Sequence, residues 1–216
     1  MNKKDETLKS KIYNALLEDI IKGEYKSHNI INEKGVIEKY MVSKSPVRDA
    51  LVMMCNEGIL KSIPRYGYEI VKITLKDINN IIEFRYIIEN QSIKKILDNA
   101  SQSQKSELEI LLENVKKETQ EADIFEHWKK NTQFHLKLNE FANNKYIYNQ
   151  LEKSLNTLKR AYAQFHWQKW QKTDFTSRNM YHARILEQII VGNYEKACDE
   201  LLKDSSYFKC LVKDLY

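Results

Sequence analysis

Residues 43–51, Ser43-Lys44-Ser45-Pro46-Val47-Arg48-Asp49-Ala50-Leu51, decide how the first third of this chain is read. Ser43 or Ser45 can cap a helix. Pro46 suits the first helical turn, where its missing N–H would have had no partner, and Gly58 marks a stop. Val47, Ala50, Leu51 and Met54 then share one apolar face, while Lys44 and Arg48 fall at the leading end. Upstream, Asn32 caps a short helix over about 32–40 carrying Val36, Ile37 and Tyr40, and residues 8–22 set Leu8, Ile12, Leu16 and Ile20 on one stripe before Gly23. Downstream, residues 59–63 and 68–72 read as two strands around the turn Pro64-Arg65-Tyr66-Gly67. Two short helices joined by a tight turn, then a hairpin with a basic and aromatic tip, make a winged helix-turn-helix. Such a recognition helix enters the DNA major groove by its N-terminal end. There, backbone N–H groups and hydroxyls bind phosphate, and long basic side chains reach base edges.

Composition sets looser bounds. The chain has 216 residues, 42% hydrophobic and 30% charged, enough for a proper core. A net charge of +5 is a mild bias that a lysine-rich solvated surface explains as well as nucleic acid does. Cys55, Cys198 and Cys210 are an odd set without CxxC spacing, the first residues are polar, and no segment approaches the ~20 apolar residues of a membrane span. A reduced, cytoplasmic, membrane-free setting is expected. Of five glycines and two prolines, Pro46, Gly58, Pro64 and Gly67 cluster in the first third, so tight turns are expected there and long helices beyond.

From Thr74 the pattern is helical throughout. Thr74 and Asp77 form a capping box for a helix to about Asn99, with Ile78, Ile81, Ile82, Phe84, Ile88 and Ile96 as its apolar positions. Further helices fit about 103–120, 123–141, 144–169, 177–191 and 194–214, broken near 120–123, at Asn143-Asn144, near 172–174 and at Gly192-Asn193. The expected architecture is mainly α: a winged helix-turn-helix over 1–73 and an all-α helical bundle over 74–216.

The ordered landmarks Ser43 to Leu51, Glu57-Gly58-Ile59-Leu60 and Arg65-Tyr66-Gly67-Tyr68 resemble the DNA-binding domain of the GntR family, whose pattern runs S-R-T-P-V-R-E-A-L, then E-G-L, then a glycine wing. Ser27-His28 stands where a Pro-Gly pair is usual. Lys44 replaces the arginine and offers a point charge rather than a bidentate fork. The resemblance continues. Arg85 to Glu89 is similar to the R-x-x-(L/I)-E opening of the FCD-like ligand domain in the FadR-type branch. Asn131 to His135 with Asn143-Asn144 is similar to its D-x-x-F-H…N motif, and His182 to Leu186 with Gly192-Asn193 to its H-x-x-I-L…G-(D/N) segment.

The resemblance implies a homodimer that binds a pseudo-palindromic double-stranded DNA operator and responds to a small, carboxylate-type effector. By position, Lys34, Ser43, Lys44, Ser45, Arg48, Arg65, Tyr66 and Gly67 are the DNA-contact candidates, with Arg48 at a base edge and Gly67 at a close backbone approach in the minor groove. Arg48 in an internal salt bridge, for instance with Glu18, and Tyr66 as an ordinary exposed aromatic remain open. In many members of the family one Asp and three His hold a divalent metal. Here those positions are Asn131, His135, His182 and Asp204, so the acid and a neutral ligand have exchanged places. Asn131 and His135, four residues apart, share one helical face, and the set suits Zn²⁺, Ni²⁺ or Mn²⁺. Buried histidines that merely hydrogen-bond are the plain alternative. Arg85, with Asn131, His135 and His182, is the candidate for gripping the effector, against a surface ion pair with Glu89. Tyr162, Phe165, His166, Trp167 and Trp170 fit a core or dimer face better than a cavity lining, and His127 and Trp128 stand alone. Two other classes stay in view: a metal-dependent enzyme, for which no further base or nucleophile stands out, and a DNA-binding protein with no small-molecule response.

Overall fold

Side-chain caps set where the first helices begin. Thr7 accepts from Ser10 N to open α1 (Leu8–Ile21), and Asn32 accepts from Gly35 N to open α2 (Glu33–Tyr40). The computed structural model describes residues 7–25, 30–117, 124–166 and 176–213. Ser27-His28, Trp167, Trp170 and the breaks expected near 120–123 and 172–174 lie outside these. The chain divides into two compact units, Met1–Ile73 and Thr74–Tyr216.

In the first unit, Met41 ends α2 in the left-handed conformation (φ 52°) and turns the chain into α3 (Lys44–Asn56). α3 packs on α1, α2 and β2 (Leu60–Ile63). Ile12, Leu16, Val36, Val47, Ala50, Leu51 and Met54 are buried in one cluster. Each of the larger side chains contributes roughly 1.5–3 kcal/mol when fully buried, so this core fixes how α3 presents its opposite face. Gly58 follows α3 at φ 67°, the stop that the sequence marks.

The sheet has three strands where the sequence shows two. β1 (Ile30–Ile31) pairs antiparallel with β3 (Gly67–Ile70), which pairs on its other side with β2. Two residues are too few to carry an alternation signal, so β1 is invisible to periodicity. It gives Gly67 a reason internal to the fold: a Cβ there would meet Ile31 O at 2.5 Å, and the residue sits at φ 133°.

The second unit begins with α4 (Leu75–Asn99), whose capping box is complete: Thr74 Oγ1 accepts from Asp77 N, and Asp77 accepts from Thr74 N. α5 (Gln102–Lys117), α6 (Ile124–Phe141), α7 (Lys145–His166), α8 (Thr176–Ile190) and α9 (Tyr194–Lys213) follow. α4 is central, packing against α6, α7, α8 and α9, while α8 and α9 form a hairpin at Gly192. Ile93, Ile96, Leu138, Ile185, Leu186, Ile189 and Leu201 make the main apolar cluster. The buried face of α4 includes the expected Ile78, Ile82 and Ile96, with Ile81 and Ile88 half-buried. It runs Ile78, Ile82, Arg85, Glu89, Ser92, Ile93 and Ile96, and Phe84 is exposed. The stripe is apolar at both ends and polar in the middle, so counting apolar residues alone misses Arg85, Glu89 and Ser92 and wrongly includes Phe84.

Thr74→Ala removes the cap of this central helix and is expected to lower unfolding free energy by about 1 kcal/mol, read from urea midpoints at neutral pH. The Thr74 hydroxyl, with the Thr74 backbone N–H, holds the Asp77 carboxyl below its ordinary range. The contribution is therefore present above that range and fades as Asp77 is protonated in the folded state. The gap between variant and parent should shrink below about pH 4.

Candidate functional site

Successive turns of α6 each point a polar residue inward. His127, Asn131, His135 and Asn139 recur at four-residue spacing, and all are buried. Asn139 Nδ2 donates to His135 O at 2.8 Å, and Asn139 Oδ1 accepts from Ser92 on α4 at 2.6 Å, which ties the two helices together beneath the His135 ring. Trp128 is also buried, its ring 5.6 Å from that of Tyr162 on α7. Phe165 is half-buried. The His166 side chain, like Trp167 and Trp170, is outside the described residues.

Around His135 the structure gathers residues from three further helix positions. The Nδ1 atom lies 2.6 Å from Glu89 Oε2, and Nε2 lies 3.2 Å from Asp204 Oδ2 without making a hydrogen bond. His182 Nε2 on α8 is 3.6 Å from Asp204 Oδ1. The His135 and His182 rings stand at 89° with centroids 5.2 Å apart, and Phe134 stacks flat on His182 at 3.8 Å. Exposure is 0% for His135, 3% for His182 and 7% for Asp204. One ligand atom from each of the three lies within 4.8 Å of the others. Two ligands of one ion, each about 2.1 Å from it, lie roughly 3–3.5 Å apart, so the carboxylate–imidazole spacings fit a shared cation. Asn131, one turn before His135 on α6, is buried beside this set in sequence.

The charges in this pocket hold each other. Burial disfavours every ion here, pushing Asp204 up, yet the facing His135 and His182 pull its carboxyl well below the usual range. Burial likewise opposes charge on Glu89, but Arg85 and then His135 hold it ionised. His135 is raised against its own desolvation, chiefly by Glu89. Arg85 Nε donates to Glu89 Oε1 at 2.9 Å, and its Nη2 is buried with no hydrogen-bond partner. Arg85 faces the interior, as its candidacy for the effector requires, and the alternative pair with Glu89 also forms, but buried rather than on the surface.

Glu89, Ser92 and Asn139 are absent from the sequence-derived site. Their signal was the interruption of apolar stripes by polar residues at helical spacing. A cleft of about 450 Å³ between α5, α6 and α7 is bordered by Phe134, the same ring that stacks on His182.

In the first unit the DNA-contact candidates are exposed except Gly67, which is half-buried. Ser43 stands at the N-cap of α3 with its hydroxyl making no capping bond. Arg48 is exposed and makes no ion pair among the described residues, so the pair with Glu18 is not formed. Its charge reaches Tyr68 on β3, whose hydroxyl donates to Glu33 at 3.3 Å. Lys44 Nζ is 4.0 Å from the same Glu33, and Lys34 Nζ is 3.7 Å from Glu38. Both are loose, solvated contacts of little energetic weight. Arg65 takes the left-handed conformation (φ 70°) at the second central position of the Ile63–Tyr66 turn, after Pro64, and Tyr66 is 72% exposed beside it.

A winged helix followed by an all-helical domain with a buried polar cluster is the build of a bacterial transcription regulator. Residues 8–70 match the bacterial regulatory proteins of the gntR family, and residues 80–203 match the FCD domain. The chain belongs to the GntR family and carries an FCD domain. It is 29% identical over 194 residues to the HTH-type transcriptional regulator YdhC of Bacillus subtilis, covering 88% of this chain and 84% of that protein. It is 27% identical over 128 residues to the gluconate operon transcriptional repressor of Bacillus licheniformis, 59% of this chain and 52% of the repressor. Escherichia coli McbR/YncC shares the fold, with a TM-score of 0.71 at 16% identity over 96% of this chain and 98% of that one. Among the described residues no helix is long and apolar enough to cross a membrane.

Removing Arg85 leaves Glu89 as a buried carboxylate with one partner fewer. Arg85→Ala is expected to cost about 3–5 kcal/mol, seen as a lower denaturation midpoint, and Arg85→Lys distinctly less.

Proposed function

We propose that the protein is a cytoplasmic homodimer that binds a pseudo-palindromic operator through residues 1–73 and adjusts that binding through an effector held in residues 74–216. The observation that carries the reading is the division of α3. Its rear face, Val47, Ala50, Leu51 and Met54, is buried, while Ser43, Lys44, Ser45 and Arg48 are exposed at its leading end. An N-terminus whose amides are not used by its own capping hydroxyl suits a phosphate, and an unpaired, exposed arginine suits a guanine edge. Lys34 from α2 and Arg65, Tyr66 and Gly67 from the wing extend the same surface. Lys and Arg contacts to phosphate would supply most of the affinity, which should fall steeply with salt. Arg48→Ala is expected to weaken operator binding by at least ten-fold with the circular dichroism and melting curve unchanged; the check is fluorescence anisotropy with labelled duplex, and parental affinity would remove α3 from the groove.

The effector site is proposed at Arg85, Asn131, His135 and His182. The free Nη2 of Arg85, buried and without a partner, supports an anionic, carboxylate-bearing molecule. His135, His182 and Asp204, with Asn131, are proposed to hold a divalent metal, Zn²⁺, Ni²⁺ or Mn²⁺. Two imidazoles, a carboxylate and an amide are a donor set these ions accept, and the approach of His135 Nε2 to Asp204 without a hydrogen bond supports it. Such an ion would supply a coordination point for the effector's anionic group. The effector shifts operator affinity only by the difference in its own affinity for the two states of the protein. The families and relatives matched are regulators, which supports a role without turnover. Elemental analysis should find a divalent metal in the purified parent and its loss in a His135→Ala, His182→Ala double variant. Equal content in both would take these histidines out of the site.

A further inference from the structure

We propose that Glu89 is a positioning residue for the metal centre: it accepts the Nδ1 proton of His135 and thereby turns the ring's Nε2 lone pair toward Asp204 and His182. The inference rests on the metal reading above and adds to it a residue that touches no metal itself.

The geometry constrains the proton. Glu89 Oε2 lies 2.6 Å from His135 Nδ1, and both side chains are fully buried, so water cannot substitute for either partner. Glu89 Oε1 is already taken by Arg85 Nε at 2.9 Å. An ionised carboxylate only accepts, so Nδ1 must donate, and a neutral ring then carries its lone pair at Nε2. That atom is the one facing Asp204 at 3.2 Å, with no hydrogen bond of its own. A carboxylate behind a ligating imidazole fixes its orientation and raises its basicity toward the metal. α4 also steadies the ring's backbone from below, through Ser92 to Asn139 to His135 O.

A carboxamide of the same shape cannot do both jobs. If the Gln carbonyl faced His135, its NH₂ would meet the Arg85 N–H, donor against donor in a dry site. If it faced the other way, its NH₂ would donate to Nδ1 and drive the ring proton onto Nε2, the atom the metal needs.

The test is Zn²⁺ binding by competition with a chromophoric chelator, for the parent and Glu89→Gln, together with ¹⁵N NMR of the imidazoles in the Zn²⁺-loaded parent. The expected result is a roughly 10–100-fold weaker Zn²⁺ affinity in E89Q with helical circular dichroism retained. In the parent, His135 should be coordinated through Nε2 and protonated at Nδ1. Equal affinity in E89Q, or coordination of the parent's His135 through Nδ1, overturns the proposal. The NMR result stands alone if E89Q does not fold. A parent that takes up no Zn²⁺ removes the metal reading and this inference with it, an outcome distinct from a parent and a variant that bind Zn²⁺ alike.

Discussion

The helical unit is organised around charge that has been taken out of water. Arg85, Glu89, His135, Asp204 and His182 form a continuous run of ionisable groups in its interior, each within reach of the next. Desolvating any one of them alone costs several kcal/mol, and only mutual pairing brings that down. The run therefore constrains four helices at once: α4 supplies Arg85 and Glu89, α6 supplies His135, and α8 and α9 supply His182 and Asp204. Well-packed apolar side chains would hold those helices as firmly. What they could not offer is a guanidinium with a nitrogen to spare and two imidazoles turned toward one carboxylate.

Around that run the apolar packing is ordinary and divided. Ile93, Ile96, Leu138, Ile185 and Leu201 close one side, and Leu136, Leu151 and Leu155 form a separate cluster. The polar seam is thus walled by hydrocarbon, which strengthens every electrostatic contact inside it. The first unit is built differently: Lys39 pairs with Asp19 at 2.7 Å near the surface, the contacts of Lys34 and Lys44 are loose, and its core is a matter of Leu16, Val47, Leu51, Met54 and their neighbours. The first unit leaves Arg48 exposed at the start of α3, and the second buries charge of both signs in one run.

Much of this was legible in the residues. Helix starts could be read from Asn32 and Thr74 because a capping side chain acts on the N–H groups directly after it, so the signal is local. Gly58 and Gly192 marked stops for the same reason, since both sit at positive φ. His135, His182 and Asp204 were named from resemblance, and the helices bring them together. The rest depends on contacts far apart in sequence. Glu89 lies 46 residues from His135, and nothing adjacent to it says that it is buried. An acidic residue four places after an arginine reads as a surface pair until the rotation of α4 is known. Phe84 was misplaced for the converse reason, an aromatic on the outside. β1 was missed because two residues become a strand only through their partner, β3.

Arg65 sits in a backbone conformation that costs an L-residue roughly 1–2 kcal/mol and costs glycine nothing. The wing tip therefore places folding and binding in opposition at a single codon. A lineage or library selected only for heat resistance should drift toward glycine there, trading away a positive charge at the end of the hairpin. Persistence of arginine under such pressure would measure how strongly the nucleic-acid surface is being selected.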